Sequence, residues 1–534
     1  MNSAQFQSLF HNLMCSQCKK QVTVNLSDTF IDSECSISCS CGSNRKTVAS
    51  SVKQDGKTFT RSNLAIVEYS LTKNLGYRGL QVLSGVLARP VMHASAYEQH
   101  ARFLYTQMNN VFPEQMSNTF TAVKKHYKQY GREEREDGVV DVDVTFDGTW
   151  MTRGHRSHIG IAFVLEADTR QVLDFEVLCN HCIPCSKERT SHRDTFQEWF
   201  QTHKSRCHKN FEGKAGEMEA EAARRLWQRS ETLGFRYITF VGDGDSSAYK
   251  AVCALNDGTG PYSCRVVKEE CINHVGKRLG TRLMKLKETA VMTTTKTGKA
   301  RRLSVLGGAK KLTDHVIDKL SFYYNSAIRR TARTTVEEMK QAIWQSFFHL
   351  SAKEDQHHAL CPRGAQSWCF VKRAEAEGKQ PESHSTKSLY LASLPHEQLE
   401  LVKGVYRDLA SPTLLQKCLS GRTQNPNESL HSKVWRKASK DKNAGLHRIR
   451  FVTQVTIWEH NFGYQSYNLL QKLGLEISRT TRVVQEALDK QRKRHQTPRG
   501  KKRAPAPQDN EEKSLPGRKR RKVEETPAYQ AGAH

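Results

Sequence analysis

The sequence lacks any apolar run of about 18 residues, the length that a membrane-spanning helix needs, so we expect no transmembrane helix. Its first residues, "MNSAQFQSLFHNLMCSQC", lack a basic region followed by a long apolar block, so we expect no secretory signal. Internal repeats are also missing. The hydrophobic fraction of 37% is enough for globular cores, and 534 residues predict roughly two to four domains.

Acidic residues are scarce relative to basic ones. The chain has 83 Lys and Arg against 55 Asp and Glu, a net charge of +28. Residues 490–523 hold 14 basic and 3 acidic residues, so this segment accounts for part of the excess and the body of the chain for the rest. An excess this large is typical of a protein with a polyanionic partner, and nucleic acid is the first candidate.

Three strand-like runs follow one another, "VDVDVTFDGTW", "HIGIAFVLEAD" and "QVLDFEVLCN", and apolar residues alternate in the first of them. The short turns between them favour antiparallel hairpins. A helix over "GEMEAEAARRLWQRSETLG", capped by Gly234, leads to a fourth strand, "RYITFVGDGD". A fifth strand-like run contains "SCRVVKEECINH". Such a helical crossover predicts an α/β fold with a mixed sheet.

Two strands of this sheet end on a carboxylate. Asp147 closes the first strand and Asp243 the fourth, and both reach one edge if the strands are parallel neighbours. Carboxylate oxygens are the ligands that Mg²⁺ prefers, and glycines 148 and 244 would leave room for a phosphate backbone. The alternative for each Asp-Gly pair is ordinary turn chemistry. Asp245 competes with Asp243 for the second position.

Several uncommon strings occur in a specific order: "VTFDGTWMTRGHRSHIGIAFVLE", "CNHCIPC", "HKSRCHKNFEGKAGEMEAEAA", "VGDGDSSAYKAV", "EECINH" and "NPNESLHS". From about residue 10 to residue 480 the chain resembles the Mutator-like transposases of animals. The resemblance implies an RNase H-like fold and cut-and-paste DNA transposition. It also implies an Asp-Asp-Glu triad, which falls on Asp147, Asp243 and Glu428.

In this triad Asp147 would bridge two Mg²⁺ or Mn²⁺ ions, while Asp243 and Glu428 would each hold one of them. Water, and later a DNA 3′-hydroxyl, would be the nucleophile. Taken alone, Glu428 is equally an acidic residue in the first turn of a helix. The 184 residues between Asp243 and Glu428 exceed any compact loop, and the resemblance explains them as an all-helical insertion.

The predicted fold is therefore α/β: an RNase H-like mixed sheet core, interrupted by an all-helical insertion and joined by small zinc-binding modules. The predicted segments are a zinc-ribbon-like module (1–50), a helical region (51–135), the first part of the core (136–279) with a zinc insert at about 178–210, the helical insertion (280–420), the second part of the core with the Glu428 helix (421–480), and a disordered basic tail (481–534).

The 15 cysteines cluster with histidines, and without a secretory signal such clusters favour metal over disulfides. The first predicted zinc set is Cys15, Cys18, Cys39 and Cys41, with Cys35 as an alternative to Cys39. The second set is Cys182, Cys185, His203 and Cys207, with Cys179, His181 and His208 as alternates.

For a third zinc site, the sequence predicts only two of the four ligands. Cys271 and His274 form the CxxH pair of the family, and a pair cannot saturate zinc. His357, His358 and Cys361 are candidate partners, and a buried cysteine beside a hydrogen-bonded histidine is the alternative. The remaining cysteines are expected to be core or idle: Cys253, Cys264, Cys369 and Cys418.

Basic segments beside the predicted metal site suit a DNA backbone, and a solvated helix face is the alternative for each. The candidate DNA-binding residues are Lys277, Arg278, Lys433, Arg436 and Lys437. "RGKKR" at 499–503 and "GRKRRKV" at 517–523 predict nuclear import signals, or tail patches that bind DNA directly.

We therefore predict a nuclear transposase that binds double-stranded DNA, the nuclear import receptor and further copies of itself. One rival is a domesticated, catalytically silent DNA-binding protein that keeps the zinc modules. Another is a structure-directed nuclease on the same fold, which would cut DNA without strand transfer.

Overall fold

The structure, a computed structural model, describes most of the chain before residue 497. The described residues are 12–29, 32–42, 45–49, 59–131, 135–152, 156–244, 247–294, 300–304, 306, 312–351, 358–381, 391, 394, 396–440, 444–465 and 467–496. None of the helices within these ranges has the length and apolar character to cross a membrane. Both predicted import signals lie outside the described residues.

The N-terminal part begins with a small antiparallel sheet in the order β1-β2-β3. Its strands are β1 (Thr23–Thr29), β2 (Asp32–Ser38) and β3 (Arg45–Ala49). Three helices follow: α1 (Arg61–Thr72), α2 (Gly76–Val86) and α3 (Ala94–Gln129). Helix α1 begins where the Thr60 side chain accepts a hydrogen bond from the Asn63 amide, as expected of an N-cap residue.

The central feature is a five-stranded mixed sheet in the order β6-β5-β4-β7-β8. Its strands are β4 (Val140–Trp150), β5 (Ile159–Glu166), β6 (Val172–Cys179), β7 (Phe235–Gly242) and β8 (Val267–Glu270). Strands β4, β5 and β6 pair antiparallel, whereas β4 pairs parallel to β7 and β7 to β8. The prediction of a mixed sheet is confirmed, and the first and fourth strands meet the condition of being parallel neighbours.

Helices cover both faces of this sheet. Between β6 and β8 the chain forms α4 (Ile183–Ser191), α5 (Phe196–His203), α6 (Met218–Arg229) and α7 (Ser247–Cys253). Leu226 and Trp227 of α6 are buried in one core together with Phe146 and Phe240 of the sheet. A second core joins α1 and α3 to the other face, so the N-terminal helices pack directly on the sheet.

The predicted all-helical insertion contains mostly helices. They are α8 (Ile272–Glu288), α9 (Asp314–Arg330), α10 (Val336–Ser351), α11 (Phe370–Ala376), α12 (His396–Leu409) and α13 (Pro412–Gln416). These helices build a hydrophobic core of their own. Helix α8 runs through residue 280, where the boundary of the insertion was predicted.

The insertion also contains an antiparallel hairpin, β9 (Ala290–Thr294) and β10 (Ala300–Ser304), so the prediction that it is entirely helical is wrong. Three of the five residues of β9, "AVMTT", are β-branched, and such residues favour an extended backbone over a helix.

The C-terminal part returns to the sheet through α14 (Asn425–Lys437) and α15 (Leu446–Phe462), followed by α16 (Leu469–Lys472) and α17 (Arg479–Gln496). The prediction of disorder from residue 481 is therefore wrong up to residue 496. The Asp489 side chain accepts hydrogen bonds from the amides of Tyr464 and Gln465, which ties α17 to the end of α15. Residues 479–496 also lack proline and glycine, so nothing interrupts a helix there.

Candidate active site and metal-binding clusters

The parallel pairing of β4 and β7 determines where the two aspartates lie. Thr145 stands opposite Val241 in this pairing. Asp147 and Asp243 each follow two residues later, just beyond this pairing, so both lie towards the same edge of the sheet. Asp243 directly follows β7, whereas Asp147 still pairs with Phe163 of β5 and β4 continues to Trp150, so the prediction that Asp147 closes its strand is wrong. The structure thus brings the two predicted aspartates to one edge. Asp245 lies outside the described residues.

Helix α14 carries Glu428 and is fastened to β4 by buried polar side chains. The Thr145 hydroxyl donates to the Asn427 side-chain oxygen at 2.7 Å, and Asn427 is fully buried. The Gln424 side-chain amide donates to the Phe146 carbonyl, also at 2.7 Å. These bonds hold the first turn of α14 against β4, the strand that carries Asp147, and Glu428 follows Asn427 directly.

His274 joins the second and third predicted catalytic carboxylates. Its Nδ1 lies 3.4 Å from Asp243 Oδ1, and its Nε2 lies 3.4 Å from Glu428 Oε1. The contact with Asp243 is the main cause of a raised pKa for His274, and the same contact lowers the pKa of Asp243. Arg278 adds a second cation, with Nη2 3.2 Å from Asp243 Oδ1 and 2.6 Å from Glu270 Oε2.

Unlike Asp243, whose pKa is lowered by neighbouring cations, Asp147 has a raised pKa. Burial raises its pKa to about 7, and the nearby carboxylates of Glu219 and Glu428 add to the effect. His431, also on α14, places Nδ1 3.7 Å from Asp147 Oδ2, and burial lowers the pKa of this imidazole to about 4. Because His431 is neutral, it does not offset the repulsion between Asp147 and the carboxylates of Glu219 and Glu428. A divalent cation would relieve it, so the carboxylate oxygens of this cleft fit a hard metal ion.

Glu219 and His431 were not singled out by the sequence. Glu219 lines the same cleft as Asp147 and Asp243, although in the sequence it is an ordinary acidic residue of helix α6. His431 follows Glu428 by three residues on one helix, a spacing that places both on one face and was a usable signal.

The two glycines of the Asp-Gly pairs make room for protein side chains. A Cβ atom at Gly148 would lie 3.3 Å from both the Glu219 side chain and the Trp150 ring, and one at Gly244 would lie 2.8 Å from Arg278. The structure therefore differs from the expectation that these glycines keep open space for a phosphate backbone.

The N-terminal cysteines form the first metal-binding cluster. The ligand atoms of Cys15, Cys18, Cys39 and Cys41 all lie within 4.8 Å of one another. Sulfur separations include 3.3 Å between Cys18 and Cys39 and 3.7 Å between Cys15 and Cys41. This set can hold a zinc ion. Cys35 lies on β2, opposite Leu26, and is not part of the cluster.

The second cluster lies just after β6 and combines Cys182, Cys185, His203 and Cys207. The Cys182 sulfur is 3.3 Å from His203 Nε2, and the sulfurs of Cys185 and Cys207 are 3.5 Å apart. The suggested alternates point elsewhere. The Cys179 thiol donates to the His181 carbonyl, His181 stacks on His158, and His208 packs against His447.

A third cluster joins His349, His358, Cys361 and Cys369 within the insertion. Cys369 was expected to be core or idle. His358 and Cys361 were candidate partners for the CxxH pair, and the alternative was a buried cysteine beside a hydrogen-bonded histidine. Cys271 is buried and accepts a hydrogen bond from the Gln424 amide, while His274 lies among the carboxylates. In the described part of the chain, neither belongs to a Cys/His cluster, and His357 lies outside that part.

The predicted DNA-binding residues separate into exposed and internal ones. Lys277 and Arg436 are exposed, whereas Arg278 lies in the cleft. The other two lysines contact residues of α15: Lys433 lies 3.3 Å from His460, and Lys437 pairs with Glu459 at 2.9 Å. The structure differs here from the prediction, because both lysines turn towards a neighbouring helix to pair with it.

Comparison with known proteins adds one finding. A family model described as Mutator-like transposase matches residues 4–369, more than half of the chain. This span includes Asp147, Asp243 and all three Cys/His clusters, while Glu428 follows it. A search of curated proteins found no match.

Proposed function

This chain belongs to the Mutator-like transposase family, and we propose that it catalyses cut-and-paste DNA transposition at terminal inverted repeats. We further propose that its mixed sheet, with three antiparallel strands followed by two parallel ones, is an RNase H-like core. The single observation that carries the proposal is the convergence of Asp147, Asp243 and Glu428, with His274 in contact with the last two.

In this proposal Asp147, Asp243 and Glu428 hold Mg²⁺ or Mn²⁺. Such ions, when bound, activate the attacking hydroxyl and stabilise the leaving oxygen of a phosphodiester. The protein contributes geometry: Asn427 and Gln424 hold the Glu428 helix to β4, and His274 orients Asp243 and Glu428 from its two ring nitrogens. His431, neutral and buried beside Asp147, supports that carboxylate without competing as a cation.

The partner is double-stranded DNA, at the element ends and at the target. The net charge of +28 supports this proposal, because Lys and Arg side chains bind phosphates and release counterions. We also propose that the protein acts in the nucleus through an import receptor, and that copies of the chain associate to pair two DNA ends. The first two Cys/His clusters would hold structural zinc, and the first of them would help to dock DNA or protein.

The test is an excision assay in cells, with a marker flanked by the terminal repeats found beside this gene. The wild type is compared with Asp147→Asn, Asp243→Asn and Glu428→Gln. Asp168→Asn is the matched control, because it makes the same charge change in the exposed turn between β5 and β6 of the same sheet. We expect excision by the wild type and the control, and a loss of at least about 100-fold in each triad variant.

Other outcomes separate the rival functions. Excision by the Asp147→Asn variant would show that Asp147 is not part of the active site. Cleavage of the ends without strand transfer in a purified system would favour a nuclease. If the wild type is present in the nucleus and binds the ends, yet neither cuts nor transfers them, the domesticated DNA-binding protein is the better description.

A further inference from the structure

The third Cys/His cluster lies in the helical insertion, where it brings together two segments that are separate in the sequence. His349 stands near the end of α10, His358 and Cys361 lie in the connection that follows, and Cys369 directly precedes α11. The Cys361 sulfur is 3.4 Å from His349 Nδ1, and the Cys369 sulfur is 3.3 Å from His358 Nδ1. All four ligand atoms lie within 4.8 Å of one another.

These separations match a tetrahedral metal site. With zinc bonds of about 2.3 Å to sulfur and 2.0–2.1 Å to nitrogen, neighbouring ligand atoms stand roughly 3.3–3.8 Å apart. Two thiolates and two neutral imidazoles also balance the charge of one Zn²⁺. We propose that His349, His358, Cys361 and Cys369 bind a structural zinc ion, independent of the catalytic cleft and of the two clusters nearer the N-terminus.

The local packing gives a reason for the ion. Residues 358–376 bury only a small cluster of their own, made of Cys361, Cys369, Phe370 and Val371, with Trp368 packed against it. This cluster is separate from the large core of the insertion. So few buried side chains cannot hold a segment of this length in one conformation, and small modules of this kind are commonly held by a metal.

Aromatic rings enclose the proposed site and connect it to α9 and α10. The Trp368 ring lies 4.9 Å from the His349 ring and 5.5 Å from Tyr323 of α9. The Arg330 guanidinium, also on α9, lies over Trp368 at 5.2 Å. His349 and Cys369 are fully buried. Four protein ligands in an apolar enclosure leave no open coordination position, so the zinc would fasten α11 to α9 and α10 and would not catalyse a reaction.

The experiment counts zinc in the purified full-length protein by native mass spectrometry and elemental analysis. We expect three zinc ions per chain in the wild type and two in the Cys361→Ser/Cys369→Ser variant. Cys418→Ser is the matched control, because Cys418 is also buried in the insertion and belongs to its main core. The control should keep three ions. An unchanged zinc content in the double variant would overturn the proposal.

A second measurement covers the case in which the double variant unfolds and loses more than one ion. A crystal of the unaltered protein would be measured on both sides of the zinc absorption edge. An anomalous peak between the four side chains of the third cluster supports the proposal. Peaks at the other two clusters without one at the third would contradict it.

Discussion

Glu68 is a carboxyl group buried in α1, where it accepts a hydrogen bond from the Tyr467 hydroxyl near the C-terminal end of the described chain. Burial raises its pKa from 4.5 to about 7, although the Tyr467 bond opposes the shift. The folded state therefore holds this proton more tightly than the unfolded state. Its contribution to stability is complete below about pH 4.5 and is lost as the pH rises through 7.

We predict that Glu68→Gln becomes more stabilising, relative to the wild type, as the pH rises from 5 to 8. The raised pKa of Glu68 corresponds to a difference of roughly 3 kcal/mol in the free energy of unfolding once this carboxyl group is fully ionised. Thermal unfolding at several pH values measures the difference in melting temperature between the two proteins. Glu98→Gln, on the exposed side of α3, is the matched control, because it makes the same chemical change where the side chain is in water. A constant difference for Glu68→Gln would show that the buried carboxyl does not titrate as described.

Glu219 adds a fourth negative charge to the cleft, and its own pKa is raised by burial and by Asp243. We predict that Glu219→Gln weakens the binding of a divalent cation by roughly 1 kcal/mol, or several-fold, because one attractive charge is removed. The measurement is the Mg²⁺ concentration that gives half-maximal cleavage.

The control for Glu219 lies on the same helix. Glu221 carries the same charge but pairs with Arg224 and Arg225, so Glu221→Gln should leave the Mg²⁺ requirement unchanged. Equal Mg²⁺ requirements for the wild type and Glu219→Gln would place Glu219 outside the metal's electrostatic environment.

At the scale of elements, helix α14 and strand β4 form one rigid unit. Besides the bonds from Thr145 and Gln424, the Trp435 indole donates to the Thr149 hydroxyl at 2.8 Å, so the two elements are joined along the length of the helix. The position of Glu428 therefore depends on buried polar groups whose loss costs about 1–3 kcal/mol each.

We predict that Asn427→Ala lowers the free energy of unfolding by about 1–3 kcal/mol, since it leaves the Thr145 hydroxyl without its partner. Cleavage should fall at least tenfold while DNA binding is retained, because Glu428 is displaced. Ser429→Ala changes an exposed residue on the other side of Glu428 and should affect neither quantity. Parallel losses of binding and cleavage would indicate general unfolding and not displacement.

At the scale of the whole molecule, the positive charge is distributed between an outer surface and internal ion pairs. Arg436 and its neighbour Lys437 illustrate the difference, because Arg436 is exposed whereas only 12% of the Lys437 side chain is exposed and it pairs with Glu459. Only exposed cations can exchange counterions for DNA phosphates.

We predict that Arg436→Gln weakens DNA binding and reduces the slope of log K against log salt by about one. Lys437→Gln should leave that slope unchanged and instead lower the melting temperature, since Glu459 loses its partner. Fluorescence anisotropy at several salt concentrations gives both slopes. If the two variants have equal slopes, Arg436 does not contact the DNA backbone.

The sequence by itself determined the features that depend on neighbouring residues. Apolar runs predict the two strands that lead to Asp147 and Asp243, although β4 continues past Asp147 to Trp150. The pairs Cys15 with Cys18 and Cys182 with Cys185 have ligand spacings that short loops can close around one metal. The helical crossover predicts a mixed sheet, but it left open whether the first and fourth strands are neighbours, which the structure decides.

Only the tertiary structure decided which distant residues meet. His274 contacts Glu428 from 154 positions away in the sequence, and Glu219 lines the cleft from a helix whose sequence gives no sign of this role. Cys369 has no ligand within seven positions, so its membership of a cluster depends on how α10 and α11 pack. Helix α17 is held by hydrogen bonds to the Asp489 side chain, which the basic composition of this segment does not predict. In each case the determining energy comes from contacts between elements, which no local pattern of residues encodes.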